Sequence, residues 1–377
     1  MRHSIRALLA LGLLFGAAAC TTPPGEQVAP PPGRERALIA FGARLPQDRP
    51  HPIWQAVAAL SPRAFVFLGA SVEPAPGRRA LLPEPGEIER AAAALAAHPD
   101  FAHFRQFAAA KGIAIFAPGN GREADGDPPR PSAAREPSPR FLRWSRGASD
   151  DPAAPVSFQS HRLSLAGVDA QLILLDIESA GSLLRRREPS ACPPAGPAPA
   201  EDSAAGLLDE AQWRWLEEEL GKSADLRLIA SGIQVIPSDP CSATWADFPA
   251  ERRRLLQLLR RTGAQGVVLL SAGRRGEISR LPAFVIGYPL YEVTASPLDA
   301  ASGEGASPLH RRAGPVHRDH FGIVAVERVG AEVVLELGLV GADGAVLAAE
   351  AVRLEELTYW PRSRAATSRS SSARRLE

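Results

Sequence analysis

The sequence predicts an α/β core closed by an antiparallel β region, and three observations carry that prediction. Short apolar runs alternate with helical patterns through the first two thirds of the chain, and the last third turns β-rich. The 377 residues are 45% hydrophobic and 23% charged, a balance that buries a core rather than leaving the chain unfolded. The 43 basic side chains almost equal the 42 acidic ones. That argues against a nucleic-acid binder, which needs a basic face to neutralise phosphates, so no nucleic acid is expected as a partner. The 32 glycines and 36 prolines crowd into a few stretches, so the folded part is expected to be shorter than the chain.

Arg2 and Arg6 precede an apolar run, Ala7 to Ala19, that is too short to span a bilayer and has the layout of a secretory signal over 1–19. Gly16-Ala17-Ala18-Ala19-Cys20 resembles a bacterial lipobox, which implies lipidation of Cys20 and a membrane partner through that anchor. Thr21, in place of aspartate, points to the outer membrane of the cell envelope, facing the periplasm. Ala17-Ala18-Ala19 also reads as an ordinary Ala-x-Ala cleavage site, which would give a secreted or periplasmic soluble protein. Residues 20–35 are Pro, Gly and polar, a tether between lipid and domain. Cys192 and Cys241 lie in Pro-rich loops, either as a disulfide or as two unpaired thiols, and neither has zinc-ligand spacing.

The folded domain is expected over 36–358. Leu38 to Phe41 reads as strand, Ile53 to Leu60 as helix and Phe65 to Leu68 as strand, a β-α-β opening. Glu87 to Ala97 and Phe101 to Ala110 read as helices, with Asp100 as cap of the second, and Ile113 to Phe116 as strand. Low-complexity insertions are expected near 118–156 and 189–206. Between them Leu172 to Leu175 is a buried strand, and His161 alternates in a strand pattern. Asp209 caps a helix from Glu210 to Leu220 whose Trp213, Leu216 and Leu220 form one stripe. Leu226 to Ala230 and Val267 to Leu270 are strands around a helix from Pro249 to Arg261. Phe284 to Val293, Gly322 to Val326, Glu332 to Leu339 and Ala345 to Leu354 supply the β-rich end, with Gly341-Ala342-Asp343-Gly344 as a hairpin turn. Residues 359–377 form a Ser/Arg tail expected to be disordered.

Several of these segments together resemble the PhoD-type alkaline phosphatase and phosphodiesterase family. They are Phe41-Gly42, Phe65 to Gly69, Glu210 to Glu217, Ser231 to Val235, Trp245 to Arg252, Leu290 to Ser296 and His320-Phe321-Gly322, in order from about Arg36 to Leu357. The resemblance implies a metallophosphoesterase-like four-layer α-β-β-α sandwich, with two packed mixed sheets and the site at the strand ends. It also implies calcium, iron or another divalent metal as cofactor and hydrolysis of phosphoric esters.

The residues that would hold that metal are replaced. Where the family has Phe-Gly-Ser-Cys, this chain has Phe41-Gly42-Ala43-Arg44; where it has Leu-Gly-Asp-Asn-Val-Tyr, this chain has Leu68-Gly69-Ala70-Ser71-Val72-Glu73. Trp-Asp-Asp-His-Asp becomes Ala117-Pro118-Gly119-Asn120-Gly121, and Ser-Gly-Asp-Arg-His becomes Ser271-Ala272-Gly273-Arg274-Arg275. A site that exchanges carboxylate and thiolate ligands for guanidinium groups repels divalent cations. No metal and no catalytic residue is therefore expected. Arg44, Arg274, Arg275, Arg280 and Gln234 are candidates to bind an anion such as a phosphate ester. Arg44 and Arg275 could instead only neutralise Asp176 or Glu277.

The function expected is a catalytically inactive lipoprotein that binds an anionic ligand or an envelope protein partner. The alternative is a divergent metal-dependent hydrolase with a rebuilt site, drawing on Glu73, Asp125, Asp127 or the segment with His310, His317, Asp319 and His320. His51, His98 and His103 are expected to be structural or exposed, and Tyr288 and Tyr291 to be core or edge-strand residues.

Overall fold

The structure is a computed structural model that describes residues 34–43, 50–68, 94, 97–116, 158–177, 206–238, 244–295 and 310–359. Outside these lie the signal and, with Cys20, residues 20–33 of the tether expected over 20–35, whose Arg34 and Glu35 instead open the first strand; then Arg44, Ala70, Ser71, Glu73, Pro118, Gly119, Asn120, Asp125, Asp127, Cys192 and Cys241. The helix expected over Glu87 to Ala97 (but for 94 and 97), both low-complexity insertions and most of the tail also lie there.

In chain order the elements are β1 (Arg34–Gly42), α1 (Ile53–Leu60), β2 (Ala64–Phe67), α2 (Pro99–Lys111), β3 (Ala114–Phe116), β4 (Gln159–Leu165), β5 (Val168–Leu174) and α3 (Glu210–Gly221). They continue with β6 (Leu226–Ser231), α4 (Pro249–Thr262), β7 (Val267–Ala272), β8 (Gly276–Leu281), β9 (Leu290–Ala295), β10 (Arg311–Val316), β11 (His320–Val329), β12 (Glu332–Gly341) and β13 (Val346–Arg353). Single 3-10 turns occur at Trp245–Asp247 and Leu354–Leu357.

Two mixed sheets result. The first runs β13-β12-β11-β1-β2-β3, with β1, β2 and β3 parallel and β11 antiparallel to β1. The second runs β10-β8-β9-β7-β6-β5-β4, with β5, β6, β7 and β9 parallel. The period of two along each strand decides which core a residue joins. On β1, Leu38 and Ala40 pack with α1 and α2, whereas Ile39 and Phe41 pack against the second sheet. β2 divides likewise, with Phe65 and Phe67 outward and Ala64 and Val66 inward. Helices α3 and α4 cover the other side, where Gln171 of β5 donates to the Glu219 carbonyl at 3.2 Å and Gln212 accepts from the Asp176 N–H at 2.8 Å. The layers are thus helix, sheet, sheet, helix, as the resemblance implied.

Local chemistry explains the helix ends. Pro99 and Pro249 stand in the first turns of α2 and α4, where no N–H is needed, and Gly112 and Gly263 stop them at φ +67° and +68°. Asp209 caps α3 by accepting from the Gln212 N–H at 2.7 Å. Asp100, expected as a cap, instead lies inside the first turn of α2 behind Pro99, and its carboxylate accepts from the His51 N–H at 2.7 Å.

The β-rich end needs a second correction. The apolar run from Phe284 is not strand until Leu290, because residues 283–288 turn the chain between β8 and β9 and leave Phe284 84% exposed. The alternation around His161 falls on β4, whereas β8 and β10 carry no apolar run that marks a strand, since β8 mixes Glu, Ser and Arg with its apolar residues and β10 carries glycine and proline. The Gly341 to Gly344 turn does join β12 to β13, with Gly344 at φ +77°.

Candidate functional site

Parallel strands of both sheets end on the same side. There the ends of β1, β2, β5, β6, β7 and β9 meet the starts of β8 and β11, at Gly42, Leu68, Asp176, Gly232, Gly273, Gly276 and His320. The sheets approach so closely here that glycine is required. A Cβ on Gly232 would stand 2.9 Å from the Leu68 carbonyl oxygen, and one on Gly276 would strike the His320 imidazole.

The turn after β6 is held on the second sheet by a buried polar layer. The Glu292 carboxylate, fully buried, accepts from the Val235 N–H at 2.7 Å and the Ile236 N–H at 2.5 Å. Burial raises its pKa, and bonds from Ser271 and those two amides oppose the rise. Gln234 donates its amide to Glu277 at 2.8 Å and to Thr294 at 3.2 Å, while Ser271 and Thr294 share a hydrogen bond of 2.9 Å. Arg311 donates to the second oxygen of Glu277 at 2.7 Å. Trp245 donates to Ser231 at 3.0 Å, and Arg252 to the Ile236 carbonyl at 2.7 Å.

This layer reassigns two expected site residues. Gln234 spends its two amide protons on Glu277 and Thr294, so it positions the 231–236 turn rather than presenting a donor to an anion. Gly273 leaves space for that amide, since a Cβ there would come within 2.7 Å of Thr294 and 3.0 Å of Gln234. Arg274 and Arg275 follow immediately, Arg275 buried and Arg274 half-buried, in the turn that opens β8. Arg280 is not part of this group. It lies near the other end of β8, with its guanidinium 6.0 Å from the Tyr291 ring, where it partly offsets the rise that burial gives the Tyr291 hydroxyl pKa.

His320 is fully buried, and its Nδ1 donates to the Arg318 carbonyl at 2.6 Å. Burial pushes its pKa down to about 4, so the ring is neutral at pH 7. His310 and His317 flank the irregular β10, whose six residues run past only Ser279 to Gly276 of β8 through two register shifts. His51 and His98 are stacked at 4.1 Å beside the helices and His103 is exposed on α2. Tyr288 and Tyr291 are buried.

Among the described residues no group of three or more His, Cys, Asp or Glu is arranged to hold a metal. The donor chemistry gives the reason at this strand end: Glu277 and Glu292 are already engaged by fixed N–H donors, and the neighbours in the turn are cations. These residues do not fit a two-metal centre. The engagement of Glu277 was not visible in the sequence, because its partners Gln234 and Arg311 lie 43 and 34 positions away.

No family model matches the chain, and no curated protein matches it. Among solved structures it is similar to that of PhoD, at 15% identity over 85% of this chain and 68% of that one, with a TM-score of 0.49. It is also similar to GAP50, described as the anchor in the inner membrane complex of Plasmodium, at 12% identity over 85% and 89% of the two chains, with a TM-score of 0.43. The resemblance to PhoD is distant and structural.

Proposed function

We propose that the chain is a lipid-anchored envelope protein that holds an anionic group, a phosphate ester above all, at the strand end beside Arg274 and Arg275 without hydrolysing it. The observation that supports this reading best is the division of charge there. Glu277 and Glu292 are engaged by internal donors, and the 273–276 turn places half-buried Arg274 and buried Arg275 where ester hydrolysis would need metal ligands. Guanidinium offers paired N–H donors that match phosphate oxygens, so it binds such a group without supplying a nucleophile. The motif order resembling PhoD phosphatases makes a phosphate ester the first ligand class to try.

The test combines calorimetric titration with inorganic phosphate and a chromogenic phosphodiester, metal analysis, and turnover with and without added calcium, iron, manganese or zinc. The expected result is binding that weakens about tenfold in Arg274→Ala, the scale of one charge-assisted hydrogen bond, with no turnover. Stoichiometric metal with chelator-sensitive hydrolysis would overturn the proposal in favour of a rebuilt hydrolase site.

A further inference from the structure

We propose that the opposite end of the sandwich rests on a lipid bilayer, with the loop around Phe284 dipped into its interface and the Arg275 strand end turned away from it. This rests on the reading of Cys20 as the lipidated residue. Phe284 and Val329 are the exposed large hydrophobic residues among those described, at 84% and 52%. Phe284 belongs to a Pro282-Ala283-Phe284-Val285 tip between β8 and β9, at the N-terminal end of parallel strand β9.

A series of bonds runs along that end from β9 to β1. The Tyr288 hydroxyl donates to the Ala264 carbonyl at 2.6 Å before β7, and Arg227 of β6 donates to the Gln265 carbonyl at 2.7 Å. The Asp169 N–H of β5 donates to Asp225 at 3.0 Å. Arg328 donates to the Ala166 carbonyl at 2.9 Å and pairs with Glu35 in the ladder, next to Arg34 opposite Val329. Both exposed apolar residues therefore sit at the end where the chain enters the fold.

Residues 20–33 connect Cys20 to that point of entry. A lipid on Cys20 would tether the chain at this end of the sandwich, where β1 begins. The short apolar tip is far smaller than the roughly 800 Å² per partner of a stable protein interface. It suits a shallow interfacial dip, for which a tether supplies the local concentration.

The experiment places a photoreactive benzophenone analogue of phenylalanine at position 284, and separately at the exposed Asp343 in the β12–β13 turn at the other end, in the full mature chain. Vesicles of phosphatidylethanolamine and phosphatidylglycerol are added, and adducts are read by mass spectrometry. The expected result is a lipid adduct from position 284 and none from 343. In the unlipidated Cys20→Ser chain, Phe284→Ser should weaken vesicle flotation about tenfold while melting stays unchanged, as an exposed site allows. Absence of a lipid adduct from 284 in a membrane-anchored chain, or capture of a second copy of the chain there, would overturn the docking and leave the anchor standing. Failure of Cys20 lipidation would remove the anchor alone, and flotation of the Cys20→Ser chain would then decide whether the tip meets lipid.

Discussion

The two helical covers of this sandwich are fastened by different physics. Aromatic rings fill the space between α1, α2 and the first sheet: Trp54 of α1 stacks on Phe104 of α2 at 4.6 Å and meets Phe65 of β2 at 5.0 Å and Phe101 of α2 at 4.9 Å. Under α3, α4 and the 231–236 turn, the second sheet is held by directional bonds. Glu251 accepts from the Leu207 and Leu208 N–H groups and from the Trp213 indole, and Arg254 bridges α4 to Glu210 of α3. Apolar packing tolerates small shifts of its partners, whereas a hydrogen-bonded layer fixes where each turn sits. The candidate site lies on the side that needs fixed turns.

The largest effect should come from breaking the aromatic cover. Trp54 is 2% exposed and contacts four aromatic rings, so Trp54→Ala should cost about 3–5 kcal/mol by lost burial and an unfilled cavity. Chemical denaturation measures this, and anion binding at the far sheet should persist below the transition. Loss of binding in the folded variant would show that the two covers are not independent.

Acid should act at the seam between the sheets. His320 is neutral in the fold with a pKa of about 4, below the ordinary 6.5, so the unfolded chain takes up the proton first as pH falls. The stability it contributes is complete above about pH 6.5 and is lost as pH drops through 4, a change of about 3 kcal/mol at most. His320→Gln should flatten that part of the stability profile measured from pH 7 to 4, and an unchanged slope would assign the acid sensitivity elsewhere.

Glu292 tests the polar cover itself. Glu292→Gln keeps one acceptor for the Val235 and Ile236 amides and loses the other, which should cost about 1–3 kcal/mol for the orphaned donor. The pH dependence has the opposite sign to that of His320. Burial raises the Glu292 pKa, so its stability contribution is full below the ordinary carboxylate value and is lost as pH rises through the raised one. The glutamine variant should lack this slope in the same denaturation series.

What was legible in the sequence follows the same division. Apolar runs such as Leu38 to Phe41, Phe65 to Leu68 and Val267 to Leu270 mark their strands because hydrophobic burial is encoded locally by type and period. Strand β8 reads Gly-Glu-Ile-Ser-Arg-Leu, and its Glu277 makes sense only beside Gln234 and Arg311, which no local window contains. The Phe284 run misled for the complementary reason. Its residues are apolar like a strand, yet they form an exposed turn tip. At the site, the placement of Gly273, Arg274 and Arg275 at a strand end was legible from motif order. The separation of Arg280 was not, because it depends on how far β8 carries the chain before it turns.

The smallest effect should come from the surface link between α3 and α4, and it decides how much of the second cover's strength lies outside the buried layer. Arg254 forms a bidentate pair with Glu210 and lies 4.6 Å over the Trp213 ring. Both members of the ion pair are exposed, so water and salt screen it and the pair should contribute less than about 1 kcal/mol. A double-mutant cycle of Arg254→Ala and Glu210→Ala isolates that coupling, and raising salt should shrink it. The stack on Trp213 survives salt, because it comes from the indole face and from the covering of apolar surface by the arginine stem. Arg254→Ala should therefore cost more than Glu210→Ala, with the difference persisting at high salt. Equal costs would mean that the ion pair alone ties these helices together, and that the buried layer beneath them carries correspondingly more of the cover.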